Sequence, residues 1–466
     1  MKPDFSLVEP YASKTVAFKF RGRELRFALS HGLFSSAGVD RGTALLLKTL
    51  SRVWDEGRAA DRPPPRTVLD AGCGAGVIAL CAAAALRDLY GGDAVHTAAG
   101  EGPSGFCIRA QDRDELARLF TAYNARINGI GPECLSAHTE ALLSGPPGSR
   151  WDLILSNVPA KAGRPVLEDF VRRSVLLLNP GGTVVIVAVN TLADFFRSLI
   201  GRTGGELLRE DPGPEHTVFT YTAGPGPEAD RAADFTAGGG LLRTRPCYLR
   251  RRAEHELEGI PLNLDTLHGA PGFDRPGGAV EAAAKLAARL GGERIAAAPA
   301  VLIHEPEQGW FPLWLLKFLE QEGAGTAPRR AAAAMVLSGR NILSLEAARH
   351  NLQKFRPPGE SAAPEPAVIP GVELSPPGLA GLLSGGGPPA AGRFGFIAAF
   401  PETVPRTDRR AALWDGLASF LAPGGLAVVT LPSSEAERFD RLKPPGLRRL
   451  GDLKRKGFRA LAYKKV

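Results

Sequence analysis

Cysteine is scarce in this chain: five in 466 residues, at positions 73, 81, 107, 134 and 247, with no C-x-x-C pair among them. Scattered singly, they argue against a disulfide framework and against a thiolate zinc site, and for free thiols in a reducing compartment. The eight histidines form no H-E-x-x-H or comparable spacing, so no metal is expected. No apolar run approaches the ~18–20 residues of a membrane span. Met1-Lys2-Pro3-Asp4-Phe5 opens without the apolar core of a signal peptide. These absences predict a cytoplasmic protein with no membrane partner. What is present, 44% hydrophobic and 23% charged residues, suits a chain that buries ordinary cores.

Positive charge is unevenly placed. Between Arg441 and Val466, ten Lys/Arg (441, 443, 448, 449, 454, 455, 456, 459, 464 and 465) stand against one acid, Asp452, so this stretch alone exceeds the net charge of +8. A second cluster is Arg243, Arg245, Arg250, Arg251 and Arg252. Such clusters suit phosphate contacts with RNA; a solvated edge of an arginine-rich protein is the bland alternative.

The stretch Thr67-Val68-Leu69-Asp70-Ala71-Gly72-Cys73-Gly74-Ala75-Gly76-Val77 is the most informative. A short β-branched strand ends in an acid, turns on three alternate glycines and enters an Ala/Leu-rich helix. Glycine is needed where backbone turns tightly against a ligand, and the following helix N-terminus favours a carboxylate or phosphate. This predicts a nucleoside-cofactor loop at the carboxyl end of a parallel strand. The spacing is G-x-G-x-G, with Val77 where a dinucleotide loop has its last glycine, which speaks against NAD. A second strand is predicted at about Phe106–Ala110, with Asp112 just past its end, placed to accept from ribose hydroxyls or to cap the next helix. That helix carries Asn124 and Asn128 one turn apart, with Gly129 as a stop signal.

Next come Trp151-Asp152-Leu153-Ile154-Leu155-Ser156-Asn157-Val158-Pro159-Ala160-Lys161-Ala162-Gly163 and Leu177-Leu178-Asn179-Pro180-Gly181-Gly182-Thr183-Val184-Val185. In this order the elements resemble a class I S-adenosylmethionine-dependent methyltransferase, and the loop at Asn157 looks like a variant of the N-P-P-aromatic motif. Phe34-Ser35-Ser36-Ala37-Gly38-Val39-Asp40-Arg41-Gly42-Thr43-Ala44-Leu45-Leu46-Leu47 is similar to the F-S-x-x-x-x-D-x-G-[ST]-x-L-L-L segment of the ribosomal RNA guanine-2-amino methyltransferases. The likeness covers roughly residues 15–222. Against the N-P-P-aromatic motif this chain has Val158 in place of the first proline and Ala160 in place of the aromatic, and some relatives in the family read N-P-P-I-R-A-G where this chain has Asn157–Gly163.

The chain repeats itself. His31-Gly32 and Asp40-Arg41-Gly42 recur as His268-Gly269 and Asp274-Arg275-Pro276-Gly277, Val68–Ala84 recurs from Val301, Ala122-Tyr123-Asn124 as Arg349-His350-Asn351, and Pro180-Gly181-Gly182 as Pro423-Gly424-Gly425. A tandem duplication follows. The prediction is two α/β Rossmann-like class I methyltransferase domains, each a mostly parallel doubly wound sheet with an antiparallel last strand. Their expected bounds are 1–223 and 241–466, joined by a Gly/Pro/Ala-rich linker at 224–240. In the second copy Glu305 and Glu307 stand where Gly72 and Gly74 stand in the first, Ile303 replaces Asp70, Gly339 falls where Asp112 should be, and no Asn precedes Pro401. This copy is expected to be a scaffold or RNA-holding domain. The resembled family also pairs an active with a degenerate copy, but there the active one is usually C-terminal.

The resemblance implies S-adenosyl-L-methionine as cofactor, with Gly72, Gly74 and Gly76 closing on its methionine arm, Asp70 orienting the loop or the cofactor's amino group, and Asp112 holding the ribose. For Asp70 the structural alternative is a helix-terminus carboxylate. Asn157 and Pro159 would form the catalytic loop, with the Asn157 side-chain oxygen accepting from a target amine; the alternative is a turn asparagine. Phe34 is either core or a stacking surface, and His138 is read as a surface loop residue. The function so implied is methylation of a guanine amine in ribosomal RNA. A catalytically inactive RNA-binding or ribosome-assembly protein and a protein or small-molecule methyltransferase remain open.

Overall fold

The computed structural model describes residues 5–90, 105–224, 240–355, 366–379 and 392–466, apart from residues 273, 299, 324 and 326. Most of the insertion at 86–105 and of the linker lies outside the described residues. The chain divides into two compact units, Met1–Gly239 and Gly240–Val466.

In the first unit a hairpin, β1 (Lys14–Phe20) and β2 (Arg23–Leu29), precedes α1 (Arg41–Ala59). Then follow β3 (Thr67–Ala71), α2 (Val77–Leu89), β4 (Cys107–Asp112), α3 (Glu115–Ile127), β5 (Leu135–Thr139), β6 (Trp151–Asn157), α4 (Arg164–Leu176), β7 (Leu178–Val189), α5 (Ala193–Arg202), β8 (Gly205–Pro212) and β9 (His216–Ala223). The sheet order is β5-β4-β3-β6-β7-β9-β8. Its first five strands run parallel, and β9 is antiparallel to both β7 and β8. The chain leaves β3 in one direction for β4 and β5 and later returns to β6 on its other side. The crevice at the carboxyl ends of β3 and β6 is therefore the switch point where an open α/β sheet binds its ligand.

The second unit repeats the plan. A short helix, α6 (Leu241–Thr244), leads to the hairpin β10 (Leu249–Leu257) and β11 (Ile260–Leu267), then α7 (Gly278–Leu290) and α8 (Gly292–Ala296). Next are β12 (Val301–His304), α9 (Trp310–Gln321), α10 (Ala327–Ala333), β13 (Met335–Gly339), α11 (Ile342–Leu352) and β14 (Ala367–Pro370). The unit closes with β15 (Phe394–Ala399), α12 (Arg410–Phe420), β16 (Leu421–Pro432), α13 (Ser433–Asp440), β17 (Leu447–Arg455) and β18 (Phe458–Lys465). Its order, β14-β13-β12-β15-β16-β18-β17, is that of the first sheet element for element.

The cores are filled differently. Under the first sheet, α2 contributes Cys81 and a run of buried alanines at 82–85, whereas α9 contributes Trp310, Phe311, Trp314 and Phe318. The repeated Pro-Gly-Gly has a local cause. A Cβ on Gly182 would lie 2.8 Å from the Trp151 carbonyl, and one on Gly425 2.8 Å from that of Ala422.

Candidate active site

The glycine loop sits at the switch point. After β3, the Gly72 and Cys73 N–H groups both donate to the Gln111 carbonyl, at 2.8 and 3.0 Å, clamping the loop to β4. Gly72, Gly74 and Gly76 have φ of +86°, +54° and +84°, the left-handed region open to glycine. Their surroundings divide them. A Cβ on Gly76 would meet Leu80 at 2.8 Å and Thr121 at 2.9 Å, so this glycine lets α2 pack on α3. A Cβ on Gly74 would meet nothing within 4 Å, and one on Gly72 only Leu142, at 3.7 Å. Those two glycines face open space in front of the loop.

Two carboxylates hold the loop from behind. Asp70 is fully buried; its Oδ2 accepts from Ala79 N–H in the first turn of α2, at 3.0 Å, while Oδ1 has no hydrogen-bond partner among the described residues. Burial pushes this carboxyl up to about 7; Asp112 adds to the rise and the Ala79 bond opposes it. Asp112 is the last residue of β4 rather than the first beyond it. Its Oδ2 accepts from Gly74 N–H and its Oδ1 from Asp114 N–H, both at 3.0 Å. Burial raises this carboxyl too, with Asp114 adding. The cap of α3 is Asp114, which accepts from Leu116 N–H, and not Asp112.

Asn124 explains the repeated Asn. Its amide accepts from Ala28 N–H and donates to the Ala28 and Ala75 carbonyls, tying hairpin, loop and α3 together. Asn351 makes the same three bonds, to Asp265 and Gln308. Asn128 extends the tie to both backbone groups of Arg26.

On the neighbouring strand, Leu155 pairs with Asp70, which brings Asn157, two residues on, to the same edge as Gly72. Asn157 Nδ2 donates to the Asp40 carboxylate, at 3.2 and 3.3 Å, and to Thr43 Oγ1 at 3.1 Å. Val158 N–H donates to the Val187 carbonyl at 3.0 Å, a bond that a proline at that position would lack. The loop is thus held at Val158 by a backbone hydrogen bond to β7. Pro159 and Ala160 are exposed, and the Pro159 carbonyl accepts from Ala162 N–H. Phe34 is 73% exposed, so it is no core residue. His138 belongs to β5, not to a loop, and its Nε2 lies 3.1 Å from an Arg109 nitrogen and 3.0 Å from Ser136 Oγ. Asp40 and Thr43 had no assigned role in the sequence; only the D-x-G-T spacing pointed at them.

The second copy keeps the loop path without the room. Glu305 N–H donates to Ser338 as Gly72 does to Gln111, and Glu305 and Glu307 hold φ of +56° and +50°. Left-handed backbone in such residues costs on the order of 1–3 kcal/mol each. Gly309 keeps the place of Gly76, since a Cβ there would lie 2.9 Å from Ala348 Cα. Glu305 folds over Gly339, taking Arg340 N–H at 2.7 Å; a Cβ on Gly339 would stand 2.8 Å from its Oε2. Glu307 is turned toward Gly272 and Gly277, and burial raises its carboxyl to about 7. Helix α7 is capped at Gly277 rather than at Asp274, which accepts from Thr266 instead, so Asp274 does not repeat the role of Asp40. By register Phe400 stands where Asn157 stands, buried against Phe311.

The basic clusters are partly neutralised. Arg449 and Arg459 pair with Asp452, Arg455 and Lys456 with Glu281, Arg250 with Asp274 and Arg252 with Asp265. Arg448 and Lys454 remain exposed. Among the described residues no cluster of His, Cys, Asp or Glu has the form of a metal site, and no helix is long and apolar enough to cross a membrane.

Residues 24–199 match the methyltransferase small domain family. Similar proteins include a ribosomal RNA small subunit methyltransferase C of Sodalis glossinidius, 29% identical over 34% of this chain and 37% of that protein. A ribosomal protein L11 methyltransferase of Rhodopseudomonas palustris is 32% identical over 34% of this chain and 46% of its own. The match thus spans less than half the length of either relative. Among solved structures, a T. thermophilus 16S rRNA N2 methyltransferase in complex with AdoMet and guanosine aligns over 98% of this chain and 100% of its own, with TM-score 0.57 and 16% identity, a likeness of fold. The amino-terminal unit therefore carries a methyltransferase small domain, and the chain as a whole has the tandem class I S-adenosylmethionine-dependent methyltransferase fold.

Proposed function

We propose that the first unit methylates the exocyclic amine of a guanine in ribosomal RNA, with S-adenosyl-L-methionine as donor, in the cytoplasm. The cofactor supplies an electrophilic methyl group; the chain has to place an acceptor nitrogen in line with it and keep it there. The residues present fit that cofactor. Gly72 and Gly74 front open space in which a methionine arm can lie against bare backbone. Asp112 points at the same loop with both oxygens bonded once each, and a carboxylate retains further lone pairs for two ribose hydroxyls. Asp70 holds the start of α2, and so the shape of the loop.

The observation that carries the reading is the state of Asn157. With its N–H groups directed to Asp40 and Thr43, its oxygen is the part left to accept from an incoming amine. Such a bond draws the nitrogen lone pair out of conjugation with the ring. Exposed Phe34 offers a stacking face that Ala160 lacks; base–aromatic stacking is typically worth ~1–3 kcal/mol. The names of the relatives favour ribosomal substrates, and guanosine in the T. thermophilus complex favours the guanine. The second unit, its loop filled, serves as an RNA-holding scaffold in this reading.

The test is transfer of radiolabelled methyl to ribosomal RNA or subunits by the wild-type chain and by Asn157→Ala. Label in guanine, reduced about 10²–10³-fold by the substitution with cofactor binding intact, supports the reading. Label only in protein redirects it to the L11-type substrate. No transfer, with cofactor bound, identifies an inactive assembly protein.

A further inference from the structure

We infer that Asp40 is a positioning residue: its carboxylate fixes which way the Asn157 amide faces. This rests on the reading of Asn157 as the partner of the acceptor amine. An asparagine amide can turn over, and only the oxygen-outward form accepts from an amine. In this site the neighbours decide the direction. A carboxylate can only accept. Asp40 Oδ2 takes the Thr43 hydroxyl at 2.6 Å, which spends that hydroxyl's one proton and leaves its lone pairs facing Asn157. Asn157 Nδ2 thus meets acceptors at both contacts, Asp40 and Thr43, and the reversed amide would set an oxygen against a carboxylate.

Asp40 is itself held. As the cap of α1 its Oδ1 accepts from Gly42 and Thr43 N–H, at 2.9 and 3.1 Å, and Ser35 Oγ approaches Oδ2 at 3.4 Å. A Cβ on Gly42 would stand 2.9 Å from the His216 ring and 3.0 Å from Asp40 Oδ1, so the glycine keeps the cap compact. The three fixed positions of the D-x-G-T segment thereby serve one purpose: Asp40 accepts, Gly42 gives room and Thr43 relays polarity to Asn157. The second unit has lost the whole set together, with Gly277 as cap and Phe400 in place of the asparagine.

The test substitutes Asp40→Asn in the full chain. Asparagine caps a helix as well as aspartate, so folding is kept, and the melting temperature checks it. Its Nδ2 then faces Asn157, forcing that amide to turn its nitrogen outward. The expected result is a kcat for RNA methylation lowered at least 100-fold, with cofactor affinity changed less than threefold. Adding Asn157→Asp to Asp40→Asn restores an outward oxygen and is expected to recover at least tenfold. A readout free of substrate is NMR of the chain labelled with 15N-asparagine. The Asn157 side-chain protons should exchange slowly in wild type and at least tenfold faster in Asp40→Asn. Equal exchange in the two proteins, or a wild-type kcat in Asp40→Asn while Asn157→Ala is dead, overturns the proposal. Full activity of Asn157→Ala overturns instead the reading beneath it.

Discussion

The glycine loop after β3 and its counterpart after β12 follow the same backbone path and differ in what stands in front of it. In the first, Gly72 and Gly74 leave space and a carboxylate reaches in from Asp112 on the next strand. In the second, Glu305 reaches the opposite way, from the loop onto the strand end, where Gly339 has no side chain to oppose it. The one shared glycine, Gly76 or Gly309, is the one crowded by its own fold. Glycines crowded by their own fold and glycines facing open space are thus separable: both copies keep the first kind, and only the first copy has the second.

The sharpest way to break this contrast is to copy the second loop into the first. Gly72→Glu with Gly74→Glu should abolish S-adenosylmethionine binding by calorimetry while the unit stays folded, because glutamates already hold that backbone in the other copy. Retained binding would show that the open space is not the site. The reverse change, Gly339→Asp, should create no second site and should lower the melting temperature of the second unit, since its Cβ would stand against Glu305.

Asp112→Ala should weaken cofactor binding about 10–100-fold, the loss of hydrogen bonds to a charged group at ~1.5–3 kcal/mol. Equal affinity in wild type and variant would remove Asp112 from the site.

A smaller effect concerns pH. Asp70 in one copy and Glu307 in the other are both raised to about 7, mainly by burial. An acid whose folded value lies above its unfolded one stabilises fully below the unfolded value and loses that contribution as pH rises through the folded one. Relative to Asp70→Asn, the wild-type first unit should therefore lose stability between pH ~4 and ~7 and change little above, by at most about 4 kcal/mol for some three units. Glu307→Gln should do the same for the second unit. Parallel melting curves for variant and wild type across that range would show the two acids to be ionised throughout.

The smallest expected effect is on RNA affinity. Arg448→Glu with Lys454→Glu should weaken binding several-fold and lower the salt slope by about two, if these exposed cations meet phosphates. Paired Arg449 and Arg459 should matter less. An unchanged slope in filter binding would leave the cluster as a solvated edge.

The duplication, the order of elements and the position of the loop were legible in the sequence, because glycine spacing, apolar strands and turn residues are local signals that each copy carries in the same order. The loss of Gly72, Gly74, Asp112 and Asn157 equivalents was legible for the same reason. Charge was the poorer guide. Counting basic residues overstated the free charge near the carboxyl terminus, since Glu281, over 150 residues upstream, neutralises Arg455 and Lys456.

What the sequence determined by itself was which copy keeps an open glycine loop at the switch point, since that turns on whether side chains or bare backbone line one short loop. What only tertiary structure decided was the work of individual groups. Asp40 and Asn157 lie 117 positions apart, and their contact exists only once α1 is folded against the end of β6. Asp70 becomes a buried brace for α2 by burial that the sheet imposes. Hydrogen-bond direction and desolvation depend on neighbours in space, and no spacing along the chain encodes them.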